Sequence, residues 1–513
     1  MFKIKIYLLP AIFMGFCMSL FGQGKKTTKP NIIIIYIDDL GYGDVGYNGA
    51  IGVQTPNIDR MANNGLTFID GHCSAATSTP SRYSLLTGNY AFRNNAAILP
   101  GNAPLLIRPG TPTLPAMLQK AGYTTGVVGK WHLGLGNGDI QWNGTISPGP
   151  LEIGFNYSFI VPATLDRVPC VFVENHEVVN LDPKDPIEVN YNQKISNDPT
   201  GLEHPEMLKF KADIQHSCTI IDSISRIGYM SGGNTARWND EEIADILTEK
   251  AKSFINLNKN KPFFLYLAYT EPHVPHVPNP RFKGNSTMGS RGDVIAEMDW
   301  ATGEIVKTLE DLGISNNTII FFSSDNGPIL NDGYDDRAEE LVGDHKPRGP
   351  YKGGKYSIFE SGTRVPTIIC WPSRIKPGVS DALFNQVDLY ASFASLIRHK
   401  LNPTEAPDSY NVLPVMLGKS NRGREIMIEE AFTLALRKGN WKYIEPQSRS
   451  TPTWLKDKKV ETGLNNSPQL FNLATDVGEQ HNIIAKYPQR RKNMQKTLNA
   501  IQNDGGSRPG FKK

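Results

Sequence analysis

Two aspartates at Asp38-Asp39, a lysine and a histidine at Lys130 and His132, histidines at His273 and His276, and an Asp325-Asn326 pair each stand just after a short apolar run. Side chains of these kinds can hold a cation, grip an anion and move protons. The Asp38-Asp39 and Asp325-Asn326 pairs offer only oxygen ligands, which suits a hard cation, Ca²⁺ or less favourably Mg²⁺; zinc would call for His or Cys at the same place. Three carboxylates crowded together without a cation would repel one another. A purely structural cluster would therefore need Lys130, Lys355 and Arg82 to balance them.

The runs that position these residues are Asn31 to Ile37, Thr124 to Val128, Pro262 to Ala268 and Thr318 to Ser323, with a further run from Thr367 to Trp371. Each is short, apolar and closed by turn or polar residues, as expected of strands buried on both faces of a parallel sheet. Helical patterns lie between them: Leu114 to Ala121, Asp240 to Asn256, and Val294 to Leu312. The alternation predicts an α/β fold, a large mixed and mostly parallel sheet sandwiched by helices. Ligands of such sheets bind outside the carboxyl ends of the strands, where the polar residues above fall. The stretch 134–239, rich in Pro, Asn and Gly, reads as an irregular insertion that shapes a binding surface. We expect a main domain over 25–405 and a small C-terminal α+β domain over 406–513 with a short antiparallel sheet, built on Trp441 to Ile444 and Gln469 to Leu473. Only 505–513 reads as disordered.

The bulk properties narrow the setting. The 513 residues carry 54 basic and 51 acidic side chains, a balance that argues against nucleic acid as the main partner. Lys3 and Lys5 precede an uncharged run from Ile6 to Leu20, a signal peptide over 1–24 handed to the Sec machinery. The run is shorter than the ~20 residues of a membrane span, so a cleaved signal and a periplasmic or secreted protein without a stable membrane span are expected. Cys73, Cys170, Cys218 and Cys370 show no metal-ligand or redox spacing and read mostly as buried small hydrophobes, with disulfides also permitted.

The run Ser78-Thr-Pro-Ser-Arg82 followed by Leu85-Leu-Thr-Gly88 resembles the signature of the type I sulfatases of the alkaline-phosphatase-like superfamily. Further matches are Gly129-Lys-Trp-His-Leu-Gly134, Pro272-His273, Asp325-Asn-Gly327, Lys355 with Glu360 to Pro366, and Gln469 to Ala474 with Asp476. Ser361 stands where Gly is usual. The resemblance implies that Ser78 is modified to formylglycine, whose hydrate offers two hydroxyls on one carbon. One attacks sulfur, and deprotonation of the other expels sulfate, so covalent catalysis is split into two easier steps. It further implies that Asp38, Asp39, Asp325, Asn326 and residue 78 hold Ca²⁺. Arg82, about one helical turn beyond Ser78, reaches back to the site, and Lys130 and Lys355 place fixed positive charge on sulfuryl oxygens. His132 is implied as base and His273 as acid toward the leaving alcohol. His276 stays open, and His72 reads as structural. A serine rather than a cysteine at 78 is similar to bacterial members matured by an anaerobic radical S-adenosylmethionine enzyme before export.

The middle region is similar to bacterial carbohydrate sulfatases, which implies exo-acting removal of 6-O-sulfate from galactose or N-acetylgalactosamine of host or algal sulfated glycans. Asp166 with Arg167 suits bidentate hydrogen bonding to sugar hydroxyls, and His216 is a further substrate-binding candidate. Competing readings are a phosphatase or phosphodiesterase of the same superfamily and a non-catalytic glycan-binding relative.

Overall fold

Asn31-Ile-Ile-Ile-Ile-Tyr-Ile37 forms strand β1, and every one of its residues is buried. A computed structural model of the chain describes residues 1–2, 29–449, 451–456 and 458–511. Apart from its first two residues, the expected signal peptide lies outside them. In chain order the main sheet takes β1, β2 (Leu66–Phe68), β3 (Thr124–Lys130), β4 (Tyr157–Val161), β5 (Val173–Glu174), β6 (Glu177–Val178), β7 (Phe263–Ala268), β8 (Thr318–Ser324), β9 (Thr367–Cys370) and β10 (Gly378–Ser380). They lie side by side as β10-β2-β9-β8-β1-β7-β3-β4-β5-β6. The central five, β8-β1-β7-β3-β4, are mutually parallel, and antiparallel pairs join them on either side. Helices α1 (Ser78–Thr87), α2 (Leu114–Lys120), α3 (Ile243–Asn258) and α4 (Gly289–Asp311) belong to this part. The mostly parallel sheet read from the sequence is thus the sheet observed.

The stretch 134–239 is less irregular than its composition suggests. Tyr157-Ser-Phe-Ile-Val161 pairs with β3 in parallel, Val127 opposite Ser158 and Lys130 opposite Val161. Its carboxyl end therefore opens on the same edge as the ends of β1, β3, β7 and β8, and the next turns carry Asp166 and Arg167. Flanking Pro, Asn and Gly residues hid this strand in the sequence. The tail also differs from expectation, since Ser507 donates from its backbone N and its Oγ to Asp408 Oδ1 at 2.9 and 2.8 Å, and Arg508 N donates to Pro407 O at 2.8 Å. Those hydrogen bonds order 505–511. All four described cysteines are free, and only Cys218 is not fully buried. Among the described residues no helix is long and apolar enough to cross a membrane.

Toward the C-terminus, β11 (Ile426–Glu430), β12 (Leu434–Lys438), β13 (Trp441–Ile444) and β14 (Gln469–Asn472) form an antiparallel sheet, followed by α5 (Pro488–Asn503). Alternation along the strands gives it two apolar faces. Leu434, Leu436, Tyr443 and Leu470 pack with Met494 and Leu498 of α5. Ala435, Ile444 and Phe471 face Ala76, just before α1, and Ile358 and Phe359, before β9.

A buried ion cluster fastens that second interface. Glu360 accepts from Arg437 Nη1 at 2.9 Å, Arg364 Nη2 at 2.7 Å and Lys442 Nζ at 3.1 Å. Lys442 also reaches Glu429 Oε2 at 3.1 Å and Glu479 Oε1 at 3.5 Å. Burial alone would raise the Glu360 carboxyl's pKa, but Arg437 and Lys442 outweigh it and hold the carboxyl well below the usual range. Removing one partner from a buried cluster strands the others. Lys442→Met is expected to lower unfolding stability by about 3–5 kcal/mol. Denaturant titration checks this, and a loss below ~1 kcal/mol would show that the cluster does not carry the interface.

Candidate active site

The helix that carries Ser78 is built by its own motif. Thr77 is extended and α1 begins at Ser78, so Pro80 falls in the first turn, where its missing N–H costs nothing. Ser81 Oγ donates to Ala75 O at 2.8 Å and accepts from Ala75 N at 3.2 Å, fixing the chain that enters the helix. At the other end Gly88 takes φ 65° and its N–H bonds Ser84 O at 2.9 Å. A Cβ there would lie 2.6 Å from Ala406 Cβ, so both conformation and space demand glycine. All ten residues of α1 are buried. Ser78 thus sits at a helix N-terminus, where the helix dipole favours negative charge.

Its hydroxyl is surrounded by strand-end residues. Lys130 Nζ donates to Ser78 Oγ at 2.9 Å and to Asp38 Oδ2 at 2.5 Å. Ser78 Oγ lies 3.3 Å from Asp38 Oδ1 and 3.4 Å from Asn326 Oδ1. Arg82, fully buried, grips Asp325 Oδ2 with Nε at 3.0 Å and Nη2 at 2.7 Å. Lys355 Nζ bonds Asp39 Oδ2 at 2.7 Å, and Asn326 Nδ2 bonds Asp39 Oδ1 at 2.6 Å. Neighbouring residues of a strand point to opposite faces, yet Asp38 and Asp39 both serve this site. The reason is local: Asp39 takes φ 64°, which breaks the alternation, and its N–H is tied to Asp325 Oδ1 at 3.2 Å.

Electrostatics follow from the crowding. Burial pushes the Asp38 carboxyl well above the usual carboxylate range in spite of Lys130 beside it, with Asp325 and Asp39 adding repulsion. Burial also acts on Asp325, but Arg82 and Lys130 win and its pKa is lowered. Burial lowers Lys130, against the pull of Asp38. Oxygen atoms of Asp38 and Asp39 and a nitrogen of His273 lie within 4.8 Å of one another. Lys130 does not fully offset the cost of the buried Asp38 carboxylate, and the cluster is rich in oxygen donors, so its residues fit a hard divalent cation. Asp38, Asp39, Asp325 and Asn326 are the residues that would hold it.

Both histidines beside this centre are neutral. Burial, with Lys355 second, lowers His273 to about 4. Its Nδ1 meets Val274 O at 2.7 Å, which makes Nδ1 the protonated nitrogen and leaves Nε2 facing Asp39 Oδ2 at 3.9 Å. Burial, with Lys130 second, lowers His132 well below the usual range. Its Nε2 meets Leu99 O at 2.9 Å, and its buried Nδ1 has no partner. His276 is occupied on both sides, by Asp336 and by Pro272 O at 2.8 Å, so it braces the turn after β7. His72 is likewise held, by Thr363 and Asp70.

Ser78, His132, His273 and Lys355 line a cavity of about 260 Å³ together with Asp166, Arg167 and His216. The sequence also missed several of its walls: Asp332, Tyr356, Trp454 and Lys458. An alternating run of charges ties the wall together. Lys355 Nζ bonds Asp332 Oδ2 at 2.8 Å, and Lys458 Nζ lies 3.2 Å from Asp332 Oδ1 and 3.3 Å from Asp213 Oδ2. Asp213 Oδ1 holds His216 Nδ1 at 2.6 Å, whose Nε2 lies 3.2 Å from Asp166 Oδ2, itself 3.2 Å from Arg167 Nη1. Burial disfavours the His216 imidazolium, but hydrogen bonds to Asp166 and Asp213 outweigh it and raise its pKa. Asp332 and Asp213 carry no signal in sequence, and Trp454 and Lys458 come from a segment more than 280 residues away from Arg167 in the chain.

A family model described as Sulfatase matches residues 30–399. The chain is 50% identical over 485 residues to an N-acetylgalactosamine-6-O-sulfatase of Bacteroides thetaiotaomicron, covering 94% of each. It is 30% identical over 500 residues to the N-acetylgalactosamine-6-sulfatase of Mus musculus, covering 92% of this chain and 85% of that one. A solved structure from the glycosaminoglycan metabolism of Bacteroides thetaiotaomicron superposes with a TM-score of 0.91 at 49% identity, covering 93% of this chain and 100% of that one.

The oxygen cluster makes a direct prediction. Ca²⁺ at a hundred times its dissociation constant is expected to stabilise the protein by about 2.7 kcal/mol, read as a rise in melting temperature. Asp39→Asn is expected to abolish most of that rise, and an equal rise in the variant would place the ion elsewhere.

Proposed function

The chain belongs to the sulfatase family, and from that membership and the geometry around Ser78 we propose that it removes 6-O-sulfate from N-acetylgalactosamine or galactose at the end of sulfated glycans. The observation that carries this reading is the single cavity in which Ser78, flanked by Lys130 and Asp38, faces His132, His273 and the Asp166–Arg167–His216 wall. At about 260 Å³ it falls just below the ~300–1,000 Å³ usual for larger ligands, which suits one sulfated pyranose.

Ser78 is read as the precursor of formylglycine, made by an anaerobic radical S-adenosylmethionine maturase before Sec export to the periplasm or beyond. As the hydrate, residue 78 supplies one hydroxyl to attack sulfur and a second whose deprotonation releases sulfate. Asp38, Asp39, Asp325 and Asn326 would hold a Ca²⁺ ion, which when bound would neutralise the sulfo group and lower the pKa of the attacking hydroxyl. Lys130 already touches the residue 78 oxygen, so it holds that oxygen in place and favours its anionic form. Lys355 carries a charge secured by Asp332 and Asp39 and stands at the cavity wall, placed to bind sulfate oxygens. Arg82 keeps Asp325 ionised.

Proton movement falls to the two histidines. The unpartnered Nδ1 of His132 is a neutral acceptor within the cavity wall, the state a base requires. His273 Nε2 is free of protein donors and unprotonated at rest. Arrival of an anionic sulfate beside it raises its proton affinity, so it can take up a proton and pass it to the leaving alcohol. On the sugar side, Asp166 accepts and Arg167 donates, while His216, with both ring nitrogens engaged by Asp213 and Asp166, holds the Asp166 carboxylate in place beside Arg167.

The test is sulfate release from defined 6-sulfated sugars by protein expressed with a maturase. Wild type is expected to release sulfate, with phosphate esters far slower, and mass spectrometry is expected to find residue 78 short of two hydrogens. Ser78→Ala is expected to be inactive, and His273→Ala to lose about 10²–10⁴-fold in kcat. Equal sulfate release by Ser78→Ala, or release of phosphate in preference to sulfate, would overturn the reading.

A further inference from the structure

The tight turn between β11 and β12 carries Phe432, which is 37% exposed at φ 55°, in the left-handed region that bulky side chains rarely adopt. An exposed phenyl ring in a costly backbone conformation contributes little to folding. Its neighbours give it a place. Phe432 lies 6.5 Å from the Tyr356 ring at 27°, and 6.5 Å from Trp454 at 60°; Tyr356 and Trp454 are 5.2 Å apart at 75°. Tyr356 and Trp454 line the catalytic cavity, and Phe432, exposed and beside both rings, stands next to that lining.

The three rings come from separate parts of the chain and are held independently. Tyr356 OH sits 3.3 Å from the Asp332 carboxylate. Phe432 O accepts from Gln447 Nε2 at 2.9 Å. Trp454 lies in the short helix Thr453–Lys456, which buries Leu455 and is followed by Lys458, itself fixed to Asp332 and Asp213. The platform is therefore formed in advance, so a ligand would not have to order it.

We infer that Tyr356, Phe432 and Trp454 form a subsite for the pyranose ring attached to the sulfated sugar. The inference rests on the sulfated-sugar reading of the cavity. A sugar in the cavity has its polar groups met by Asp166 and Arg167 and its sulfate directed toward Ser78, so its glycosidic link leaves by the rim. The next ring along the chain then passes the aromatic surface. Pyranoses present C–H groups on one face, which the electron-rich faces of aromatic rings attract, and aromatic side chains offer this contact at low conformational cost. The platform thus rewards a chain end over a free monosaccharide.

The experiment compares a 6-sulfated monosaccharide with a disaccharide that bears the same sulfated residue at its non-reducing end. In matured enzyme, the ratio of kcat/KM for disaccharide to that for monosaccharide is expected to fall about tenfold in Phe432→Ala and in Trp454→Ala, and to survive in Phe432→Tyr. The same ratio of affinities, measured by calorimetry in the Ser78→Ala protein, is expected to fall alongside it, which separates binding from turnover. Ratios equal to wild type in both alanine variants overturn the subsite, including the case where both substrates weaken together. A wild type that cleaves and binds neither sugar defeats the functional reading instead, and a Phe432→Tyr ratio as low as that of Phe432→Ala overturns the stacking role.

Discussion

Three buried carboxylates within reach of one another are the constraint around which this molecule is built. Asp38, Asp39 and Asp325 are each no more than 2% exposed, and a low-dielectric interior does not tolerate such charge unless it is balanced. Arg82, Lys130 and Lys355 therefore come from three different segments to meet them, and Asn326 adds an amide. The parallel register of β8, β1, β7 and β3 delivers most of these groups to one edge, and the α1 motif sets Ser78 against them. A fold without that register could not assemble the centre. Without the balancing cations, the centre would destabilise the fold.

Much of this was legible in the sequence because the chemistry sits directly after the strands. Apolar β-branched runs ending in Asp-Asp, Gly-Lys-Trp-His, Thr-Glu-Pro-His and Asp-Asn-Gly give both the element and its cargo in one window. Parallel sheets make such windows converge, so the residues around Ser78 could be grouped before any coordinates. Less visible was the outer wall. Asp213, Asp332 and Lys458 sit in loops with no periodic pattern, and they meet only because the C-terminal segment folds back over the main sheet. Tyr157–Val161 was hidden for the opposite reason: its own pattern is strand-like, but the surrounding Pro, Asn and Gly made the whole stretch read as loop. The tail at 505–511 looked disordered because its polar groups find their partners in Pro407 and Asp408, far away in the chain.

The C-terminal sheet is more than a cap. Its β11–β12 turn presents Phe432, the segment beyond β13 supplies Trp454 and Lys458, and Glu360, before β9, anchors β12 and β13 through Arg437 and Lys442. Glu360 belongs to the same stretch as Lys355, so one segment connects the charged centre to the interface that positions the cavity's outer wall. The contacts that fasten the C-terminal sheet and those that shape the cavity wall thus lie on one stretch of chain.

The linked charges from Asp39 through Lys355, Asp332, Lys458, Asp213, His216 and Asp166 to Arg167 have a bearing on how such a pocket can change over evolutionary time. Each member is held by neighbours of opposite sign, so the cost of replacing one depends on what its neighbours have already become. Single changes along this line strand a charge, whereas compensated pairs preserve the alternation. Divergence toward a new sugar is therefore confined to a few mutational routes in which order matters, and the same replacement tolerated in one relative can be ruinous in another.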